Sequence, residues 1–203
     1  MRLYDFLPSG NSYKVRLTLR WLEIPFEYRP IDILKGESRT PAFLAKNPFG
    51  QVPVLELDGG TCLRESSAIM MYLAEGTPLL PEDKIGRARV LEWMAFEQTH
   101  VDRVISRARF RRLYPDVIPT REVEFIPWHT KGHEALRVLD EHLATRKFLV
   151  GERFTIADIA LFAYTHCAGD GGFDLAPYRA LGPWFSRVRE QRGHLPIDQV
   201  PPT

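Results

Sequence analysis

Two short stretches carry residue types suited to holding a small peptide by its backbone and its carboxylate. The first is Asn47-Pro48-Phe49-Gly50-Gln51-Val52-Pro53-Val54-Leu55, and ten residues beyond it stands Glu65-Ser66-Ser67-Ala68-Ile69. A proline opening an apolar strand removes a ladder donor, so it belongs at a strand's first residue or at an edge. With a cis Val52–Pro53 bond, a minority state for X-Pro, the N–H and C=O of Val52 turn outward and can pair with an extended ligand. Glu65-Ser66 opens a strongly apolar helical run, and the free N–H groups and positive dipole end of a helix start suit a carboxylate.

These residues need elements to position them. Leu3-Tyr4-Asp5-Phe6 reads as a short strand ended by Leu7-Pro8-Ser9-Gly10, and Val15, Leu19 and Leu22 fall at helical spacing after it. The spacing predicts a helix beginning near Asn11 or Ser12, with Ser12 as one reading of its N-cap. Phe26 to Ile31 alternates as a second strand, giving a strand–helix–strand crossover. A short helix at Pro41 to Ala45 leads to a strand at Pro53–Leu57. Asp58-Gly59-Gly60 then turns the chain into Thr61–Leu63, and Ser66 to Ala74 closes the unit as a helix with Gly76 as its C-cap.

Beyond Gly76-Thr77-Pro78-Leu79-Leu80-Pro81 the pattern turns helical. Ile85 to Leu113 is one long helix. A second runs to about Thr145, with Pro127 expected to kink it or mark its start. Thr155-Ile156-Ala157-Asp158 fits a capping box before the apolar run Ile159–Tyr164, and a last helix covers about Tyr178 to Gln191. The expected architecture is α/β plus all-α: residues 1–76 as a thioredoxin-like domain with a mixed four-stranded sheet, 77–86 as linker, and 87–203 as a helical bundle.

The segment NPFGQVPVLELDGG with CLRESSAIMMYLAE resembles the glutathione-binding half of the cytosolic glutathione transferases. The resemblance extends to SGNSYKVRLTLRWLEIPFEYRPIDI, to GESRTPAFLAKNPFGQVP and to FLVGERFTIADIALFAY, so it covers nearly the whole chain. It implies a bound glutathione thiol activated as a thiolate for attack on an electrophilic small molecule. A free thiol near pKa ~8.5 is largely protonated at neutral pH, and a hydroxyl or N–H at a helix start can stabilise the sulfur anion. Ser9, Asn11 and Ser12 are the candidates in the first turn, Ser9 matching the thiol-contacting serine of serine-type enzymes. Asn11 stands where beta-type enzymes carry cysteine, which argues against a protein-cysteine mixed disulfide. Tyr4 is a rival donor, although its place in the strand suits core packing better. The resemblance further implies that Ser38, Arg39 and Gln51 reach the glycyl end. Ser38 stands where plant phi-type enzymes have histidine, and Arg39 can equally be a solvated loop charge. Val52 would pair with the cysteinyl backbone, Pro53 would fix the loop, and Glu65 and Ser66 would hold the γ-glutamyl end.

Composition narrows the classes. Lys and Arg number 27 against 26 acids, and the residues before Pro78 carry nine of each sign, so no global field favours nucleic acid or an acidic membrane. The two cysteines give neither a disulfide framework nor zinc spacing. MRLYDFL lacks a signal peptide's apolar core, and no run approaches the ~20 apolar residues of a membrane span. A cytoplasmic homodimer without metal is expected, with glutathione as co-substrate. Two alternatives stay open: a glutathione-dependent disulfide or peroxide reductase, and a non-catalytic binding module. Weaker signals read structurally. Arg103, Arg107, Arg109, Arg111 and Arg112 suit a solvated helix face, though anionic acceptors fit them too. His129 and His133 suit surface positions, Cys62 and Cys167 inert core ones. Phe49 suits either loop packing or a plug into a partner subunit.

Overall fold

Alternation along the first strand sets up the amino-terminal sheet. In β1 (Arg2–Asp5), Leu3 and Asp5 are buried while Arg2 and Tyr4 point the other way, the period-two division of a pleated strand. β1 pairs in parallel with β2 (Glu27–Pro30) and antiparallel with β3 (Val54–Glu56). β3 pairs antiparallel with β4 (Cys62–Arg64), giving the order β2-β1-β3-β4. The computed structural model describes residues 1 to 202, and the mixed four-stranded sheet expected from the sequence is present in it.

Helices α1 (Gly10–Trp21) and α3 (Ser66–Ala74) cover one face of the sheet. Leu3, Val15, Leu19, Leu55, Ile69 and Leu73 make the core between them. On the opposite face, Phe43 of α2 (Pro41–Leu44) meets the Tyr4 ring edge-on, with centroids 6.2 Å apart. Tyr4 is therefore only half-buried, and its hydroxyl donates to Glu56 Oε2 at 2.6 Å. Tyr4 lies opposite Val54 in the register. Because β1 and β3 run antiparallel, Val52 and Pro53 come alongside the chain leaving β1 for α1.

The second unit spans Gly76–Glu190. α4 (Lys84–Phe96), a π-helical stretch Glu97–Ser106 and α5 (Arg107–Leu113) run on from one another, as the apolar stripe predicted. α6 (Glu122–Leu143) keeps Pro127 inside it, so that proline does not mark the helix start. Every residue of α7 (Ile156–Thr165) is buried, the pattern of a helix surrounded by others. α8 (Leu181–Arg189) is shorter than the expected Tyr178–Gln191.

The structure divides the chain differently from the sequence at two places. Leu79 and Leu80 are buried, the Leu79 carbonyl accepts from Ile156 N–H at 3.1 Å, and Asp83 caps α4. The stretch expected to be a linker is thus a packed part of the helical unit. The described residues from Gln191 on cluster with Met1–Glu75 instead of with the helices. Local composition does not reveal this return, because it rests on side chains of α1.

Candidate active site

The first turn of α1 starts one or two residues earlier than its apolar spacing suggests. Ser9 is the N-cap, with φ −72° and ψ 121°, and its Oγ accepts from Ser12 N–H at 3.3 Å. A serine at this position satisfies one of the four orphan donors of a helix start. Ser9 N–H donates to the Phe6 carbonyl at 2.8 Å, and the Ser9 carbonyl accepts from Tyr13 N–H at 2.9 Å. The side chain stays half-buried, and an oxygen that accepts from a backbone N–H keeps its own O–H to donate.

Ser12 has a different fate. It is fully buried beneath the turn, beside Asp5, so neither the N-cap reading nor a thiol-donor role fits it. Burial lifts the Asp5 carboxyl to about 6, against the opposing pull of the Arg16 charge and of Ser12. Arg16 Nε lies 3.1 Å from Asp5 Oδ2 as an ion pair, although the contact lacks hydrogen-bond alignment.

Asn11 links two helix starts. Its Oδ1 accepts from Lys14 Nζ at 2.7 Å and from Ser66 Oγ at 3.2 Å. Lys14 is fully buried, so a cation sits behind the junction of the α1 and α3 N-termini. The opening of α3 has no side-chain cap, and the residue before it, Glu65, has φ +63°. Left-handed backbone is uncommon for a residue with a side chain and is concentrated at functional sites. Glu65 is exposed while Ser66 is buried. An uncapped helix start, a dipole end and a buried ammonium together favour an anion at this place.

The loop before β3 is shaped by Asn47, a functional residue that the sequence analysis did not single out. Asn47, buried, donates through Nδ2 to the Gln51 carbonyl at 2.8 Å and accepts at Oδ1 from Phe49 N–H at 3.1 Å. An asparagine side chain bonding the backbone two residues on is the Asx-turn device, and that chemistry was the available signal. The Val52–Pro53 bond is cis, and among the described residues no turn or loop hydrogen bond occupies the N–H or C=O of Val52. Gly50 has φ +62°, and a Cβ there would lie 2.7 Å from Arg39 Nη1 and 2.8 Å from the Ser38 carbonyl.

That close approach fixes Ser38 and Arg39 beside the loop. Arg39 is exposed but anchored, its Nη1 donating to the Phe49 carbonyl at 3.0 Å. It is therefore more than a solvated charge. Ser38 is buried, so its side chain is not displayed to a ligand. Gln51 is exposed and Pro53 buried. The geometry brings Ser9, Asn11, Val52, Pro53, Glu65 and Ser66 to one end of the amino-terminal sheet. Ser38, Arg39 and Gln51 lie along the loop leading there.

The weaker signals resolve individually. Tyr4 is committed to Glu56, with Lys46 Nζ 2.8 Å from the same carboxylate oxygen. Arg109 is buried and paired with Asp170 at 3.0 Å, and Arg112 pairs with Glu122. Arg103 and Arg107 are exposed. His129 Nε2 donates to the Gly171 carbonyl at 2.9 Å and His133 Nδ1 lies 2.7 Å from the Tyr178 hydroxyl, so both are half-buried anchors rather than surface residues. Burial pushes the Cys167 thiol up to about 11, and Cys62 is half-exposed in β4 rather than in the core. Phe49 is 65% exposed, which overturns loop packing. No group of three or more metal-ligating side chains occurs among the described residues.

Residues 3–81 match the family model described as glutathione S-transferase, N-terminal domain, and residues 129–192 match the corresponding C-terminal domain. The chain is 33% identical over 172 residues to a zeta-class glutathione S-transferase of Euphorbia esula, covering 83% of this chain and 76% of that one. It is 29% identical to a disulfide-bond oxidoreductase of Escherichia coli, with 92% and 89% covered. Among solved structures, a glutathione S-transferase from Pseudomonas fluorescens superposes with a TM-score of 0.93 at 45% identity, covering 97% of this chain and 98% of that one.

Proposed function

The chain belongs to the glutathione S-transferase family, and from that premise we propose how its residues divide the binding and activation of glutathione. It is a glutathione transferase, an enzyme that uses glutathione as substrate. In the proposed arrangement the γ-glutamyl carboxylate rests on the uncapped start of α3, held by Ser66 N–H, with Glu65 toward the amine. Val52 pairs through its N–H and C=O with the cysteinyl backbone on the loop fixed by Pro53. Gln51 and Arg39 serve the glycyl end, with Ser38 supporting Arg39 from below.

The sulfur then lies at the α1 N-cap, where the Ser9 hydroxyl donates to it. Stabilising the anion lowers the thiol pKa, and each unit corresponds to about 1.4 kcal/mol. The thiol proton leaves to solvent, the thiolate attacks an electrophilic carbon, a C–S bond forms, and the displaced group departs with its electron pair. Asn11 acts as a positioning residue, joining the sulfur end to the carboxylate end. The observation carrying this reading is the Asn11 Oδ1 junction, which accepts from Ser66 Oγ at 3.2 Å and ties the two helix starts into one site.

Titration calorimetry with glutathione, followed by conjugation of a chloro-nitrobenzene, tests it. Binding with turnover is expected, and a protein that takes up no glutathione overturns the assignment of the site. A second reading, glutathione-dependent disulfide reduction, is favoured by the likeness to the Escherichia coli oxidoreductase, and it requires no protein cysteine. There the thiolate attacks a disulfide sulfur and the S–S bond breaks. Faster turnover of a glutathione-linked mixed disulfide than of the aryl chloride would favour it. The remaining parts of the reading are an electrophilic small-molecule acceptor, a role in detoxification, a cytoplasmic location and a homodimer. Exposed Phe49 supports the homodimer. Among the described residues no helix is long and apolar enough to cross a membrane.

A further inference from the structure

Arg16 is fully buried on α1, yet its guanidinium grips two separate pieces of chain. Its Nη2 donates to the Leu7 carbonyl at 2.6 Å and to the Ile197 carbonyl at 2.9 Å, and its Nη1 reaches the Gln199 carbonyl at 3.4 Å. Tyr13, also fully buried, donates to the Leu195 carbonyl at 2.6 Å, with His194 Nε2 at 3.4 Å from the same hydroxyl. Earlier in the same segment, Arg192 stacks over Trp21 at 4.3 Å. Gly193 has φ +72°, and a Cβ there would lie 2.5 Å from the Arg20 carbonyl oxygen. The segment is thus fastened along α1 from Trp21 back to the turn that carries Ser9.

We propose that the segment from Arg192 to Gln199 is a strap that positions the Ser9 turn, with Arg16 and Tyr13 as the positioning residues that transmit its hold. The proposal rests on the reading of Ser9 as the thiol donor. A buried guanidinium needs its donors satisfied; Asp5 balances the charge of Arg16, and beside the Leu7 carbonyl it is the Ile197 and Gln199 carbonyls that accept its hydrogen bonds. With the strap docked, Arg16 keeps the Leu7 carbonyl in place two residues before the cap. Hydrogen bonds weaken steeply with misalignment, so a small drift of this turn costs Ser9 its aim at the sulfur while leaving the carboxylate site on α3 intact.

The test uses the full chain with Gly193→Val, which forces the strap off α1, and separately Tyr13→Phe and Arg16→Lys. Three quantities are read: glutathione affinity by calorimetry, the pKa of the bound thiol by thiolate ultraviolet absorbance, and amide hydrogen exchange at Ser12 and Tyr13. Affinity should change by no more than about twofold, while the bound thiol pKa rises by about one unit. That shift lowers kcat by up to about tenfold at neutral pH, with recovery as pH is raised. Exchange at the two amides should accelerate. Folded variants with an unchanged bound-thiol pKa and unchanged exchange overturn the strap, and if Gly193→Val does not fold, the single-hydroxyl change Tyr13→Phe decides. Ser9→Ala is measured alongside. If it leaves the bound pKa unmoved, the Ser9 reading fails, and the exchange measurement alone then decides the strap.

Discussion

Helices α1 and α7 both begin with a hydroxyl residue at the N-cap, and they begin very differently. At the start of α7, Thr155 and Asp158 form a reciprocal box that leaves little hydrogen-bonding capacity unused. Asp158 Oδ1 accepts from Leu149 N–H at 2.9 Å and Trp184 Nε1 at 3.0 Å, and Oδ2 from Thr155 N–H at 3.0 Å and its hydroxyl at 3.2 Å. Both residues are buried. At the start of α1, Ser9 accepts one N–H at 3.3 Å, stays half-buried, and has no carboxylate three residues on. Its neighbour start, α3, has no side-chain cap bond. A saturated helix start holds the fold together, whereas an incomplete one leaves donors for something else to complete.

The largest expected effect tests the saturated end. Asp158→Ala strands the Leu149 N–H, the Thr155 N–H and the Trp184 indole N–H in the core. Each unsatisfied buried donor costs about 1–3 kcal/mol. The costs are not additive, so about 3–5 kcal/mol of stability should be lost in chemical denaturation. A loss below about 1 kcal/mol would mean the box is dispensable, and the comparison would break there.

Next comes the open end. Ser9→Ala should lower kcat by about 10²-fold, the size of losing one donor to a developing or stabilised anion, with glutathione affinity nearly unchanged. Its stability cost should stay near the ~1 kcal/mol of a lost N-cap. Full activity in the alanine variant would remove Ser9 from the chemistry and turn attention to Asn11. Ser66→Ala follows with a smaller effect, about a tenfold loss of glutathione affinity, equal to about 1.4 kcal/mol. Unchanged affinity in calorimetry would take its hydroxyl out of the site.

The contrast also explains how far the sequence could be read. The α7 start was legible because a capping box is a local pattern, hydroxyl first and carboxylate three on. The α3 bounds were legible because an apolar run follows the polar pair Glu65-Ser66 directly. The α1 start was misjudged by one or two residues because Ser9, Asn11 and Ser12 are all plausible caps. Burial decides among them, and burial is a tertiary property. Likewise, nothing local marks Lys14 and Arg16 as buried cations on a helix face that reads as polar. Their partners are Asn11 and Asp5 nearby and the Ile197 and Gln199 carbonyls about 180 residues away. The strap was invisible for that reason: backbone carbonyls carry no side-chain signature.

The smallest effect is a separation of two pH dependences. Burial raises the Asp158 carboxyl from the ordinary 3.8 to about 6, outweighing the hydrogen bonds from Leu149, Thr155 and Trp184 that pull it down. In the folded state this group therefore holds its proton longer than in the unfolded chain. Its contribution to stability is fully present below about 3.8 and is lost as pH rises through about 6. Asp5, also raised to about 6 by burial, adds a change of the same sign. The slope from each carboxyl is at most about 1.4 kcal/mol per pH unit. Asp158→Asn should flatten the stability curve in that window by one carboxyl's share. It should leave the pH profile of turnover alone, because in the proposed site that profile follows the thiol bound at the α1 start. A turnover profile that moves with Asp158→Asn in a stably folded protein would show the two helix starts to be coupled, and the division between a structural and a chemical N-terminus would fail.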